Sequence, residues 1–183
     1  LVKLAEGIHR LGLPIAKDEI VSAPQAALAW LRSRGWPRCR LLVDDSLLDE
    51  LAELPRDDDH PEVILLGDRD DRWDHRLLQG IFRQVIDGAE LVALHKGRYW
   101  QTAEGLRLDI GVYVAGLEYA TGKPARVMGK PSCDFFRQAM ASLQAAPARV
   151  AMVGDDVLDD VGGAQACGLR GVLVRTGKYR EEA

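Results

Sequence analysis

The chain has 183 residues, 47% of them hydrophobic and 28% charged, with 18 glycines and 8 prolines, which excludes a disordered, collagenous or membrane-embedded class. Lys and Arg number 24 against 28 Asp and Glu, a net charge of -4, so the basic excess that a nucleic-acid or anionic-membrane surface needs is missing. The longest apolar run, Ile110 to Leu117, is broken by glycine and falls far short of the roughly 18 residues that span a bilayer.

Residues 1 to 12 place apolar positions 1, 4, 5 and 8 on one side of Lys3, Glu6, His9 and Arg10, the pattern of an amphipathic helix rather than of a signal peptide. That helix starts at Leu1 with no capping residue before it, so an upstream piece is expected. Ser22 and Gln25 form a capping box for a helix over 23–34, with Pro24 harmless in the first turn and Gly35 and Pro37 as stops. A strand over 39–43, a short acidic helix over 46–54, a solvated turn over 56–61, a strand over 62–66, a helix over 74–86 and a strand over 90–95 follow. This alternation implies parallel strands joined by helical crossovers. A glycine-punctuated connector over 96–111 leads to an apolar helix over 112–120, and the Gly122 and Pro124 cluster marks a boundary. Beyond it the pattern predicts a strand at 125–128, a helix at 132–145, a strand at 149–153, a helix at 156–167, a strand at 171–174 and a charged tail. Cys39, Cys133 and Cys167 are odd in number, far apart and without a CxxC pair, which argues against a disulfide framework and for a reducing cytoplasm.

The sharpest chemical feature is the apolar run Val150–Val153, which passes through Gly154 into Asp155, Asp156, Asp159 and Asp160. Ligand sites in open α/β sheets lie at the carboxyl ends of strands, where Asp155 falls. On a helix from 156, residues 156, 159 and 160 share a face and repel unless a cation lies among them, and Mg²⁺ suits such hard oxygen donors. The plainer alternative, acids complementing the helix dipole, is sufficient for Asp159. Gly129-Lys130-Pro131 puts a lysine at a second strand end, just before a helix N-terminus that suits a phosphate, although single lysines of this kind are mostly solvated. His95, Lys96, Arg98, Tyr99 and Trp100 follow a third strand, and they read equally as contacts for an anionic or aromatic substrate or as an ordinary basic loop with packed aromatics. The other histidines share no metal-ligand spacing, and no nucleophile-elbow, Walker or dinucleotide fingerprint occurs.

Gly129-Lys130-Pro131, followed by Val153-Gly154-Asp155-Asp156 and Asp159 to Gln165, resembles motifs III and IV of the haloacid dehalogenase superfamily of phosphatases. Asp87 to Leu91, His95 to Tyr99, Leu117 to Thr121 and Thr176 to Arg180 are similar to its class IIA branch, and the likeness covers nearly the whole chain. The resemblance implies an α/β protein: a Rossmann-like core, incomplete in residues 1–183, with an inserted α/β cap of the C2 type. Residues 1–21 would be a core segment, 22–123 the cap and 124–183 the C-terminal part of the core. It implies Mg²⁺-dependent hydrolysis of a small phosphoester, phosphoramidate or pyrophosphate through an aspartyl-phosphate. Carried over residue by residue, Lys130 and Asp160 are catalytic, Asp155 and Asp156 hold the metal, and Lys130 with His95 and Arg98 binds substrate. A homodimer through the cap and a cytoplasmic location also follow from the likeness and the composition, with no nucleic acid or membrane as partner.

The departure is that no D-x-[DST]-G-[TV] nucleophile run and no motif II Ser or Thr strand is present in these residues, and the 106–111 connector lacks the Gly-Pro-rich form of relatives. A missing N-terminal segment, a fragment, or an inactive relative used for binding would each explain it. The strands at 125–128 and 149–153 would then have an open apolar edge.

Overall fold

The computed structural model describes residues 2–177, 179 and 181. Leu1 of the expected first helix, and Lys178, Arg180, Glu182 and Ala183 of the tail, lie outside the described residues. The chain divides into two compact units, residues 27–128 and residues 1–26 together with 129–183.

In the 27–128 unit, β1 (Cys39–Leu42), β2 (Val63–Leu66), β3 (Glu90–Ala93) and β6 (Arg126–Val127) form one parallel sheet in the order β1-β2-β3-β6. The register pairs Cys39 with Val63, Val63 with Glu90, and Val92 with Arg126. Helix α3 (His75–Ile86) crosses from β2 to β3, and α4 (Gly111–Thr121) precedes β6, so the expected βαβ pattern is present. All four β2 residues, Val63 to Leu66, are buried, as in a strand covered on both faces. Ile64 and Leu66 pack with Ile81, Val85, Val114 and Leu117 from the two helices, at about 1.5–3 kcal/mol per large side chain taken from water. Asp74 caps α3 by accepting from the Leu77 N–H at 2.7 Å, which satisfies a donor with no partner inside the helix. The strand expected at 125–128 belongs to this sheet: its residues 126–127 pair with β3.

Two expectations for this unit are corrected. The acidic helix over 46–54 reduces to a single 3₁₀ turn at Asp45–Leu47, capped by Asp44 onto the Ser46 N–H, with the following turns anchored by buried Leu51 and Leu54. A segment so short gains too few helical bonds to offset nucleation. The connector over 96–111 is a β-hairpin, in which β4 (Tyr99–Thr102) pairs antiparallel with β5 (Gly105–Leu108). Thr102 Oγ1 donates to the Gly105 carbonyl at 2.9 Å and accepts from the Glu104 N–H at 3.1 Å, closing the turn, and Gly105 has φ 120°.

The second unit begins with α1 (Val2–Arg10) and the start of α2 (Ala23–Ser33). The capping box is formed: the Ser22 N–H donates to Gln25 Oε1 at 3.0 Å, and the Gln25 N–H to Ser22 Oγ at 3.5 Å. Then come α5 (Cys133–Leu143), β7 (Ala151–Gly154), a π-helical turn at Val157–Gly162, α6 (Gly163–Ala166) and β8 (Arg170–Leu173), which pairs parallel with β7. Phe136, Ala164 and Leu169 make its small buried cluster. Val153 (58% exposed), Val172 and Leu173 leave apolar surface on the two-stranded sheet open.

The cysteine expectation is also corrected: Cys133 and Cys167 form a disulfide with Cα atoms 5.5 Å apart. They are 34 residues apart in sequence, but Cys133 opens α5 and Cys167 directly follows α6, two helices whose buried faces meet at Phe136 and Ala164. Cys39 is the free thiol, and it is buried in the other unit. Among the described residues no helix is long and apolar enough to cross a membrane.

Candidate active site

Strand β7 ends at Gly154, where the space a side chain would need is already filled. A Cβ there would run into the carboxylate and the Cβ of Asp160. Asp160 reaches that position from the π-helical turn, in which the N–H groups of both Asp160 (3.1 Å) and Val161 (3.2 Å) donate to the Asp156 carbonyl. An inserted turn of this kind is a recurrent feature of functional sites. Asp160 is 4% exposed, the one charged side chain among the described residues that is fully buried. Lys130 Nζ donates to its Oδ1 at 2.6 Å, and the Asp156 N–H donates to its Oδ2 at 3.2 Å.

The lysine arrives from the other side. After Met128 and Gly129 the chain passes through a cis Lys130–Pro131 bond into α5, whose first turn Ser132 caps by accepting from the Asp134 N–H at 3.2 Å. Pro131 lies against Gly163, where an added Cβ would be 2.7 Å from the proline Cβ and 3.0 Å from Phe136 Cε2. The glycine at 163 therefore admits a close neighbour, Pro131 of the Lys130–Pro131 segment. The buried carboxylate and half-exposed ammonium form a charge-assisted bond, stronger than a neutral one. The lysine side chain keeps 38% of its surface exposed.

The acidic residues that the sequence places on one helix face do not crowd together. Asp156 is the N-cap, its Oδ1 accepting from the Leu158 (3.0 Å) and Asp159 (2.9 Å) N–H groups. Asp160 turns inward to Lys130. Asp155, next after the strand-end glycine, has its Oδ2 where a side chain at Gly177 would sit. Lys130, Asp156 and Asp160 are thus brought together, with Asp155 beside them in the chain. Sequence reasoning missed Gly177, although the Thr176-Gly177 pair in the closing run was the available signal. Among the described residues no three His, Cys, Asp or Glu side chains converge as a complete metal cage. The donor set therefore fits Mg²⁺ only in its usual sparse form, one or two carboxylates completed by water and substrate phosphate.

His95 and Arg98 lie in the 27–128 unit, at the entry to the hairpin. His95 Nδ1 is 3.4 Å from Asp109 Oδ2, and the Arg98 guanidinium lies over the Tyr99 ring at 5.8 Å. Lys96 between them is bonded to Glu118, whose Oε1 also accepts from the Ala125 N–H at 2.9 Å. Burial pushes the Glu118 carboxyl up, but the lysine and the backbone N–H outweigh it and hold the group below its ordinary 4.5. Beside the hairpin is a cavity of about 350 Å³ whose lining includes Asp68, Trp73, Trp100, Arg107 and Asp109.

Residues 127–183 match the HAD-hydrolase-like family model. A phospholysine phosphohistidine inorganic pyrophosphate phosphatase of Xenopus laevis is 40% identical over 178 residues, which is 96% of this chain and 65% of that protein. The human haloacid dehalogenase-like hydrolase domain-containing protein 2 is 41% identical over 177 residues, 97% of this chain and 67% of its own length. The chain thus spans about two thirds of the length of these curated relatives. Among solved structures, a p-nitrophenyl phosphatase from Archaeoglobus fulgidus superposes with TM-score 0.86 at 27% identity, covering 98% of this chain and 70% of that one. A glycerol phosphate phosphatase from Mycobacterium tuberculosis in complex with magnesium gives TM-score 0.81 at 28% identity, covering 95% and 54%.

Proposed function

The chain belongs to the haloacid dehalogenase-like hydrolases, and we propose that in its intact form it is a Mg²⁺-dependent phosphatase of a small phosphorylated substrate. The observation that carries this reading is the buried Asp160 fixing Lys130 at a strand end beside Asp155. In that role Asp160 is the positioning residue and Lys130 touches substrate, its ammonium offsetting charge that builds on the phosphoryl oxygens as the bond to the leaving group breaks. Asp155 would hold Mg²⁺ with Asp156 beside it. The ion, when bound, supplies Lewis-acid stabilisation of the phosphoryl group. The magnesium in the complex of the Mycobacterium tuberculosis glycerol phosphate phosphatase supports Mg²⁺ as the ion.

The resemblance assigns the attack to an aspartate in a D-x-[DST]-G-[TV] run, which residues 1–183 do not contain. No attacking aspartate is therefore assigned within residues 1–183, and the roles proposed for Lys130, Asp155, Asp156 and Asp160 are to bind, orient and neutralise. His95 and Arg98 are proposed to contact the substrate from the cap, residues 22–123. A homodimer through the cap and a cytoplasmic location complete the proposal. The disulfide removes the cysteine argument for that location, which rests on the likeness alone.

The test is release of p-nitrophenolate from p-nitrophenyl phosphate by protein whose intact mass has been measured, with Mg²⁺ and then with excess EDTA. Turnover that needs Mg²⁺ and disappears in Asp155→Asn is the expected result. Turnover unaffected by EDTA would overturn the Mg²⁺ dependence, and phosphate binding with no turnover in a protein that carries the nucleophile run would overturn the phosphatase reading in favour of a binding protein.

A further inference from the structure

The disulfide occupies a particular place. Cys133 lies three residues after Lys130, and Cys167 seven after Asp160, so the bridge joins the two segments that carry the buried ion pair. The same segments touch at two other places only a few residues away: the Lys130–Asp160 bond at 2.6 Å and the contact of Gly163 with Pro131 and Phe136. The buried cluster they share is small, Phe136, Ala164 and Leu169 with partly buried Phe135, Met140, Val150 and Met152 packed against it, and β7 exposes Ala151 and Val153. In so small a core a covalent tie is a large part of what fixes the geometry. Both cysteines are partly exposed, within reach of a small thiol. The third cysteine does not compete: Cys39 is buried in the other unit, and burial together with the charge of Glu62 pushes its thiol up to about 11.

We propose that Cys133 and Cys167 form a reversible dithiol–disulfide switch that sets how firmly Lys130 is held against Asp160. The exchange partner is a low-molecular-weight thiol–disulfide couple of the glutathione type. In oxidation, one cysteine thiolate attacks glutathione disulfide, whose S–S bond breaks and releases one glutathione thiolate. The second cysteine thiolate then attacks the protein sulfur of the mixed disulfide and releases the other glutathione. Two electrons pass from the cysteine pair to the glutathione disulfide, and the two protons lost by the cysteines are taken up by the two glutathiones. Reduction is the reverse. The consequence for activity rests on the phosphatase reading, whereas the change at Lys130 does not.

The experiment measures Lys130 itself. The full chain, equilibrated with glutathione disulfide or with dithiothreitol, is treated briefly with acetic anhydride, and acetylation of Lys130 is compared by peptide mass spectrometry with that of Lys123 in the other unit. The oxidised chain, two thiols short by thiol count, is expected to protect Lys130, with acetylation at least fivefold faster after reduction and Lys123 unchanged. Cys133→Ser is expected to show the fast rate in both conditions, with Cys167→Val as a second variant should the first fail to fold. A Lys130 rate equal within twofold in oxidised and reduced wild type, or three thiols counted in urea after treatment with glutathione disulfide, would overturn the switch. Turnover enters neither readout, so failure of the phosphatase reading is seen separately.

Discussion

Gly154→Ala should damage this protein far more than the loss of one glycine suggests. The added methyl would lie 2.5 Å from both Cβ and Cγ of Asp160, against about 3.5–4.0 Å for ordinary carbon contacts, so Asp160 must retreat by about 1 Å or more. A retreat of that size breaks the 2.6 Å bond to Lys130 and the 3.2 Å bond from the Asp156 N–H. Overpacking costs about 1–3 kcal/mol, and loosening a charge-assisted bond of a buried carboxylate a further ~1.5–3, for a total of about 3 kcal/mol or more. Gly116 in α4 is the internal control, since a Cβ there meets nothing within 4 Å. Gly116→Ala should therefore stabilise by about 0.5–1 kcal/mol. At ~4–8 °C per kcal/mol for units of this size, scanning calorimetry should show the transition of the 1–26 and 129–183 unit fall by more than about 10 °C in Gly154→Ala. In Gly116→Ala the transition of the other unit should rise by a few degrees. A Gly154→Ala protein that melts within about 2 °C of wild type would refute the argument that Asp160 fills the space beside the strand end.

Three further outcomes follow from the same geometry. Gly177→Ala places a methyl on the Asp155 carboxylate at a backbone φ of 49°, and it should raise the Mg²⁺ concentration for half-maximal turnover by about 10–100-fold, as disturbed support of a ligand does; an unchanged Mg²⁺ dependence would count against Asp155 as ligand. Cys39, its thiol pushed up to about 11 by burial and by Glu62, should react with iodoacetamide at pH 8 on the order of 100-fold more slowly in the folded chain than in urea; equal rates would contradict its burial. Glu118 is held below its ordinary 4.5 in the folded chain, so its stabilising effect is full above about pH 4.5 and is lost as pH falls through the folded value. Glu118→Gln should accordingly cost about 0.5–1 kcal/mol at pH 7 and nothing measurable near pH 2 in urea titrations; a cost that grows on acidification would reverse the sign.

The parts of the fold that could be read from sequence are those where one local signal had no competitor. Asp74 and the Ser22–Gln25 box place two helix starts within a residue, and the apolar run within 62–66 marks a strand, whose residues Val63–Leu66 the structure then buries. The 99–108 hairpin was hidden because its glycines read as irregular connector, whereas Gly105 supplies the turn that lets Tyr99–Thr102 and Gly105–Leu108 pair. The Cys133–Cys167 bridge was invisible for a different reason: spacing along the chain carries no information about two helices that meet only through Phe136 and Ala164. At the site, the residue types were legible and their arrangement was not. Helical periodicity puts Asp156, Asp159 and Asp160 on one face, but the π-helical turn sends Asp160 inward to Lys130 and leaves Asp156 capping N–H groups. The reason for Gly154 was likewise out of reach, since the group that fills its place comes from six residues further on.

The claim on which the rest depends is that Lys130, fixed by Asp160, meets the phosphoryl group. The most direct test is kcat/KM for p-nitrophenyl phosphate at saturating Mg²⁺ in Lys130→Met, with the near-ultraviolet circular dichroism of wild type retained. A fall of roughly 10²–10³-fold is the predicted result, the scale seen when one pre-set charge or donor at a transition state is removed. A folded Lys130→Met protein that turns over within threefold of wild type would contradict the account.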